Sequence, residues 1–119
     1  RAALEAASYE VRDVIDAMEK DSGLKIKSLK VDGGAAVNNF LLQFQSDILK
    51  AEVIRPKVIE STSLGAAYLA GLGAGFWSGT DKIKKFWKVD KVFKPKMPKR
   101  YADRLYNGWL LAVKKTLLE

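Results

Sequence analysis

Residues 29–49, LKVDGGAAVNNFLLQFQSDIL, run from a short apolar segment through two glycines into an amphipathic stretch. Alternating side chains in residues 24–31 predict a strand. The turn Asp32-Gly33-Gly34-Ala35 follows it, and residues 36–49 have the pattern of a helix. The apolar stripe of that helix consists of Phe40, Leu41, Phe44, Ile48 and Leu49. This strand–turn–helix unit is typical of α/β proteins.

Further helices and one more strand flank this unit. Three- and four-residue spacing predicts a helix over residues 2–21, with the C-terminal cap at Gly23. A second strand is predicted over residues 51–54, and a helix over residues 63–71 with capping hydroxyls in residues 61–63. The apolar positions of the first helix are Leu4, Val11, Val14, Ile15 and Met18. Short strands that alternate with helices predict an α/β layer with parallel pairing.

The helix over residues 63–71 has a face of small side chains, which suits close approach to another backbone. That face consists of Gly65, Ala66, Ala70, Gly71 and Ala74. Only two strands are predicted in the chain, and two are too few for a stable open sheet. We therefore expect the remaining strands to come from residues before Arg1 or from another chain, so that this chain is a fragment of a larger domain.

The positive charge of the chain is concentrated after Trp77. Residues 81–100 contain nine Lys or Arg and two Asp, so they carry the whole net charge of +7. We expect residues 78–100, with a short helix near 81–87, to form a basic peripheral connection, and residues 101–119 to form a C-terminal helix. The apolar stripe of that last helix is Leu105, Trp109, Val113 and Leu117.

Two interpretations are compatible with the basic stretch. Lysines interleaved with Phe86, Trp87 and Phe93 are compatible with a nucleic-acid surface. They also fit a solvated face whose aromatic side chains hold it to the core, and we favour this second interpretation.

Composition excludes several kinds of chemistry. The chain has no Cys and no His, which excludes Ser-His and Cys-His catalytic units within it. No apolar run reaches the roughly 20 residues of a membrane-spanning helix, so we expect no membrane insertion. A cytoplasmic location is the simplest expectation. The acidic residues Asp13, Asp16 and Glu19 of the first helix are interpreted as solvated, not as metal ligands.

The glycine turn is the best candidate for a binding site. Two glycines remove Cβ atoms, so backbone N–H groups can approach a ligand closely, and the following helix N-terminus favours phosphate. Asn38 and Asn39 lie one turn further and can bond to a base, a ribose or a phosphate. The same pattern also fits a tight turn that binds nothing, because no full dinucleotide fingerprint or P-loop is present.

These residues also carry a family resemblance. Residues 29–49 resemble the adenosine-binding segment of bacterial glycerol kinases, and residues 1–5 resemble the tail of a signature of the wider FGGY carbohydrate kinases. The similarity continues through residues 53–56, 60–72, 75–77 and 101–115. Lys50 departs from the pattern, because family members often have Gly there.

The resemblance implies a fold and a site. It implies that residues 1–119 are a fragment of the C-terminal nucleotide-binding domain, an actin-like, ribonuclease-H-like ATPase domain that lacks its first strands. It also implies that Gly34 and Asn38 contact ATP or ADP, with Gly33 and Ala35 beside them on the same turn. Asp32 is interpreted as a turn residue that supports the loop.

The resemblance further implies an activity that this chain would serve only in part. Family members transfer the γ-phosphoryl group of ATP, with Mg²⁺, to a terminal hydroxyl of glycerol. Their catalytic base and glycerol contacts match no residue here, so we assign no catalytic residue and no metal ligand, and expect the chain alone to be inactive. Nucleotide is the expected partner, glycerol only through the upstream part, and the parent is expected to be a homo-oligomer. The alternative is a non-catalytic basic interaction module that retains the fold.

Overall fold

The computed structural model describes residues 1–117, in which helices α1, α2 and α5 pack together and α2 also lies against a small sheet. The elements are α1 (Ala2–Ser22), β1 (Ser28–Lys30), a 3-10 helix (Gly34–Val37), α2 (Asn39–Leu49), β2 (Glu52–Pro56), α3 (Ser61–Gly73), α4 (Thr80–Lys84), β3 (Val89–Phe93) and α5 (Lys99–Thr116). None of the helices in residues 1–117 is long and apolar enough to cross a membrane.

The sheet has three strands in the order β1-β2-β3. The predicted parallel pairing of β1 with β2 is confirmed, with Leu29 opposite Val53. Strand β3 is antiparallel to β2 and places Phe93 opposite Val53, although the sequence indicated only a connection there. Phe93 is the only buried residue of β3, and the other four are exposed. The strand therefore lacks the alternation of buried and exposed side chains by which a sequence reveals a strand.

Helix α1 ends where the sequence predicts. Gly23 caps it in the left-handed conformation (φ 69°), and its N–H donates to Glu19 O at 2.9 Å. The predicted apolar stripe is wrong in part, because Val14 and Met18 are more than half exposed whereas Tyr9 is buried. The face that α1 buries is decided by where α2 and α5 lie, which helical spacing alone cannot give.

The polar residues of α1 also form contacts that the sequence did not indicate. Asp13 is half-buried and accepts hydrogen bonds from the Tyr106 hydroxyl and, at 2.8 Å, from Trp109 Nε1. Glu19 accepts from the Ile26 N–H at 2.7 Å. The prediction that these two carboxylates are solvated is therefore wrong. Burial and, secondarily, the hydrogen bond to Asp13 raise the pKa of Tyr106 above its ordinary value.

Helix α2 is the most deeply buried element. It begins at Asn39 and not near residue 36, because the 3-10 helix intervenes. The predicted stripe is corrected at Phe40, which is 41% exposed. The buried residues of α2 are Leu42, Phe44, Gln45, Ser46, Asp47 and Ile48. A helix enclosed on several sides buries more than one stripe, and three of these six side chains are polar.

The buried polar side chains of α2 all have partners. Ser46 Oγ lies 2.8 Å from Ala51 O and 3.0 Å from Phe93 O, and Gln45 Nε2 donates to Ser8 O at 3.2 Å. Asp47 Oδ1 accepts the backbone N–H groups of Lys96 and Met97 at 2.5 and 2.9 Å. These bonds join α2 to α1, to the edge of the sheet and to the segment before α5.

Two apolar clusters form the core. The first lies between the three packed helices and consists of Tyr9, Phe44, Ile48, Ala102 and Tyr106, with Met97, Leu105 and Trp109 against it. The second lies between α2 and the sheet and consists of Ala36, Leu42, Val53 and Phe93, with Leu29, Val31 and Ile59 against it. The predicted stripe of α5 thus holds at Leu105 and Trp109, whereas Leu117 is 77% exposed.

Helix α3 buries none of its residues. It begins at Ser61 after Glu60, and no side chain caps it, so the predicted capping hydroxyls are wrong. Gly71 belongs to the predicted small face. A Cβ built on it would lie 2.1 Å from the Trp77 ring, so the group that approaches closely there is an indole and not a backbone. At Gly65 a Cβ would meet no atom of the described residues within 4 Å.

The chain is less compact than a typical domain of its size. Its radius of gyration is 17.5 Å, whereas about 13–14 Å is typical for this length. Leu69 and Phe76 are 70% and 78% exposed, so apolar side chains in and just after α3 contribute little to the core. The core of this chain therefore lies mainly between α1, α2, α5 and the sheet.

Lys50, which caps α2, allows backbone strain to be measured. Its φ is 58°, and its Nζ donates to Met97 O at 2.5 Å. Lys50→Ala and Lys50→Gly both remove that bond, but only Gly adopts positive φ without a Cβ penalty. We expect the Gly variant to be about 1 kcal/mol more stable than the Ala variant in urea unfolding. Equal stabilities would contradict a strained backbone at Lys50.

Asp47 provides a second stability prediction. Asp47→Ala leaves two backbone N–H groups without their acceptor, so the free energy of unfolding should fall by about 1–3 kcal/mol. Asp81→Ala is the control, because the Asp81 side chain is 89% exposed, and its effect should stay within about 0.5 kcal/mol. Similar losses in the two variants would mean that the bonds of Asp47 contribute nothing particular.

Candidate functional site

The glycine turn lies at the edge of the sheet where the parallel strands β1 and β2 end. The Gly33 N–H donates to Ile59 O at 2.7 Å, which joins the turn to the segment that follows β2. The Val31 N–H donates to Ile54 O at 3.1 Å and continues the pairing up to the turn. Open α/β sheets bind ligands outside the carboxyl ends of their strands, and this turn has that position.

The conformation of the turn depends on Gly33. This residue has φ 80° and ψ 173°, a region that side chains disfavour. The chain then turns through the 3-10 helix, in which the Ala36 N–H donates to Gly33 O at 3.0 Å and the Asn38 N–H to Ala35 O at 3.1 Å. Gly33, Gly34, Ala35 and Asn38 thus lie on one short turn.

Gly34 leaves an open surface beside the backbone. A Cβ built on Gly34 meets no atom of residues 1–117 within 4 Å, and the φ of Gly34 lies outside the left-handed region. Neither packing against these residues nor conformation therefore requires glycine there. The N–H groups of Gly34 and Ala35 donate to no acceptor among residues 1–117. Two backbone donors are therefore free to bond a ligand that approaches Gly34 closely.

Asn38 uses only one end of its side chain within the fold. It is the N-cap of α2, and its Oδ1 accepts the Leu41 N–H at 3.1 Å. Its Nδ2 has no acceptor in the described part of the chain, so this amide can donate to a ligand while the oxygen caps the helix. The cap also orients the side chain, because the oxygen must face the first turn of α2.

The other polar residues near the turn have different positions from those expected. Asp32 is exposed and makes no side-chain hydrogen bond within residues 1–117 that would support the loop. Asn39 Oδ1 accepts Arg55 Nη1 at 3.0 Å, so it contributes to the fold. Arg55 also bonds the carbonyls of Ala36 and Val37. The sequence had no signal for Arg55, since its distance from the turn is short only after β2 has paired.

Asp32 is the one carboxylate in the sequence of the turn, residues 32–38. Across residues 1–117 no group of three or more His, Cys, Asp or Glu side chains is arranged to hold a metal ion. The donors that the turn offers are therefore backbone N–H groups and the Asn38 amide, which suit anionic or hydrogen-bonding ligands.

Comparison with known proteins identifies the family. The profile of the FGGY family of carbohydrate kinases, C-terminal domain, matches residues 1–74, more than half of the chain. The chain belongs to this family. The matched part of this FGGY domain contains helices α1 to α3, the glycine turn and the sheet strands β1 and β2.

Individual relatives agree with this assignment. The glycerol kinase of Alkaliphilus oremlandii is 58% identical over 117 residues, which is 98% of this chain and 23% of that protein. The glycerol kinase of Fusobacterium nucleatum is 58% identical over 116 residues, again 98% of this chain and 23% of the relative. This FGGY chain thus spans about a quarter of the length of the curated relatives it matches.

Solved structures support the fold. The Plasmodium falciparum glycerol kinase, crystallised with ADP, superimposes on the whole chain with a TM-score of 0.85 and 35% identity, and the match covers 24% of that kinase. A gluconate kinase from Lactobacillus acidophilus superimposes on 98% of this chain, and the match covers 24% of that kinase, with a TM-score of 0.78 and 24% identity, a likeness of fold alone. The predicted α/β fold, part of the actin-like ATPase fold of these kinases, is confirmed.

The capping role of Asn38 can be tested apart from any ligand. Asn38→Ala removes the N-cap oxygen of α2 and should lower the free energy of unfolding by about 1 kcal/mol. Asn38→Ser retains a capping oxygen and should stay within about 0.5 kcal/mol of the wild-type chain. Thermal or urea unfolding measures both, and a Ser variant as unstable as the Ala variant would argue against the cap.

Proposed function

We propose that this chain is the ATP- and ADP-binding part of a glycerol kinase. The main observation behind this proposal is the turn at the edge of the sheet, where two N–H groups and one amide nitrogen have no partner within the described residues. The relative from Plasmodium falciparum, solved with ADP, covers this whole chain. Together these observations favour a nucleotide as the ligand of the turn.

Each residue of the turn has a defined role in this proposal. Gly33 turns the chain, and Gly34 leaves room for a ligand to reach the N–H groups of Gly34 and Ala35. Such donors suit a phosphate or ribose oxygen. Asn38 Nδ2 donates to the base or ribose while its Oδ1 remains bonded to α2. The residues present therefore fit a nucleotide.

The complete reaction needs more than this chain. The proposed enzyme transfers the γ-phosphoryl group of ATP to a terminal hydroxyl of glycerol, giving glycerol 3-phosphate, and Mg²⁺ supplies charge neutralisation when bound with the nucleotide. Here the residues of the turn hold and orient the nucleotide, which is a large part of catalysis in phosphoryl transfer. The base, the glycerol contacts and the homo-oligomeric assembly belong to the rest of the protein in this proposal, whose location is cytoplasmic, and the chain alone is inactive.

An exchange of segments tests the proposal at the level of activity. The 117 matched residues of this chain can replace the corresponding quarter of the Alkaliphilus oremlandii glycerol kinase, to which they are 58% identical. A folded chimera that phosphorylates glycerol supports the proposal. A folded but inactive chimera, with the unchanged kinase active under the same conditions, contradicts it.

The basic interaction module remains the competing function. The observation that favours it is the concentration of lysines in residues 81–100. Lys84 pairs with Asp81 and Lys94 pairs with Glu52, but both lysine side chains are more than 70% exposed. Salt-sensitive binding to heparin or single-stranded DNA, without any response to Mg-ADP, would favour this module over the kinase part.

Gly34→Ala separates ligand binding from folding. Since a Cβ has free space there, the variant should be as stable as wild type or up to about 1 kcal/mol more stable. If nucleotide reaches the backbone at Gly34, the added methyl group should weaken Mg-ADP binding by about 1–3 kcal/mol in isothermal titration. Gly33→Ala is the matched contrast, because its positive φ makes Ala destabilising. Unchanged affinity in Gly34→Ala would remove Gly34 from the site.

A further inference from the structure

Arg55 has the densest set of polar contacts near the turn. It is the fourth residue of β2, and its side chain is only 15% exposed. Its Nε donates to Asp90 Oδ2 at 2.7 Å. Its Nη1 lies 3.0 Å from Ala36 O, 3.3 Å from Val37 O and 3.0 Å from Asn39 Oδ1. One guanidinium thus joins β2, β3, the 3-10 helix and α2.

The acceptors of Arg55 lie on both sides of Asn38. Val37 is the last residue of the 3-10 helix and Asn39 is the first residue of α2. Arg55 Nη1 therefore contacts both neighbours of Asn38 in the chain, Val37 and Asn39. The direction of the Asn38 side chain depends on the angle between the 3-10 helix and α2, which this nitrogen constrains.

Asp90 and Phe93 hold the guanidinium in turn. Asp90 lies on β3 and accepts from Nε, and the ring of Phe93 lies beneath the guanidinium, 5.6 Å from its carbon to the ring centroid. A planar fork with several donors can satisfy a carboxylate on one side and carbonyls on the other. A lysine ammonium is a single point of charge and cannot reach both sets at once.

We propose that Arg55 is a positioning residue for the nucleotide site, and that Asp90 orients Arg55 for this role. The proposal rests on the nucleotide function proposed above. Arg55 acts through the backbone of the turn: it sets the geometry of Gly34 to Asn38, so its loss loosens the turn and weakens nucleotide binding. Strand β3, in the basic stretch, thereby contributes to the site through Asp90.

Arg55→Lys in the full chain is the test. Two quantities are measured: the hydrogen exchange of the Ala36 and Asn38 amides, followed by NMR without ligand, and the dissociation constant for Mg-ADP. We expect these amides, which donate to Gly33 O and Ala35 O, to exchange about tenfold faster. The dissociation constant should rise about 5- to 30-fold, as expected when one or two hydrogen bonds are lost.

Arg12→Lys is the matched control. The Arg12 side chain is similarly buried, at 19% exposure, and bonds Ile48 O at 3.2 Å and the carboxylates of Asp16 and Asp103. These partners lie on α1, on α5 and at the C-terminal end of α2, and none of them belongs to the turn. Replacement of Arg12 should lower stability as Arg55→Lys does, but leave the exchange at Ala36 and Asn38 and the affinity for Mg-ADP within about twofold of wild type.

Asp90→Asn provides a second variant that retains an acceptor oxygen. If Asp90 acts only by orienting Arg55, the double variant Arg55→Lys/Asp90→Asn should bind Mg-ADP no more weakly than Arg55→Lys alone. Independent, additive losses would contradict the orienting role of Asp90.

The outcomes separate this proposal from the proposed function. Faster exchange at the two amides together with weaker Mg-ADP binding, both absent in Arg12→Lys, supports it. Normal affinity in a folded Arg55→Lys variant overturns it. If the wild-type chain does not bind Mg-ADP, the nucleotide function of the isolated chain fails. In that case unchanged exchange at Ala36 and Asn38 overturns the inference about Arg55, and faster exchange supports it for the turn itself.

Discussion

Helix α2 lies between the sheet on one side and helices α1 and α5 on the other, and both apolar clusters of the core contain its residues. Ile48 is fully buried, and Ser46 is fully buried between two backbone carbonyls. Polar groups in such a position cost free energy unless they are bonded, so the bonds of Ser46 and Asp47 determine where β3 and the segment before α5 can lie.

The position of α2 also determines the shape of the turn. The helix begins at Asn39, and Ala36 is held in the apolar cluster between α2 and the sheet, so the chain between β1 and α2 has little freedom. Gly33 provides the change of direction, and Arg55 closes the junction from the side of the sheet. Within residues 1–117 the N–H groups of Gly34 and Ala35 and the Asn38 amide nitrogen have no partner, and the proposed nucleotide site uses these donors.

The distribution of the core agrees with the share of the relatives that this chain covers. Helices α1, α2 and α5 share a buried apolar cluster, whereas α3 buries none of its residues, and the radius of gyration exceeds that of a typical domain. The matched glycerol kinases are about four times longer than this chain. The exposed apolar side chains of α3 are consistent with this difference in length, because the longer relatives contain residues that this chain lacks.

The sequence by itself determined the features that depend on neighbouring residues. The glycine turn, the cap at Gly23, the parallel strands and the α/β fold follow from local spacing and backbone preference, and the resemblance to FGGY kinases led to Gly34 and Asn38, whose role in binding stays a prediction. Only the tertiary structure decided the third strand, the buried polar face of α2, the bonds of Asp13 and the place of Arg55. Each of these depends on residues distant in the chain: Arg55 meets Asp90 across 35 positions, and Asp13 meets Tyr106 across 93. Such contacts exist only once the strands and helices have packed, so no local pattern could show them.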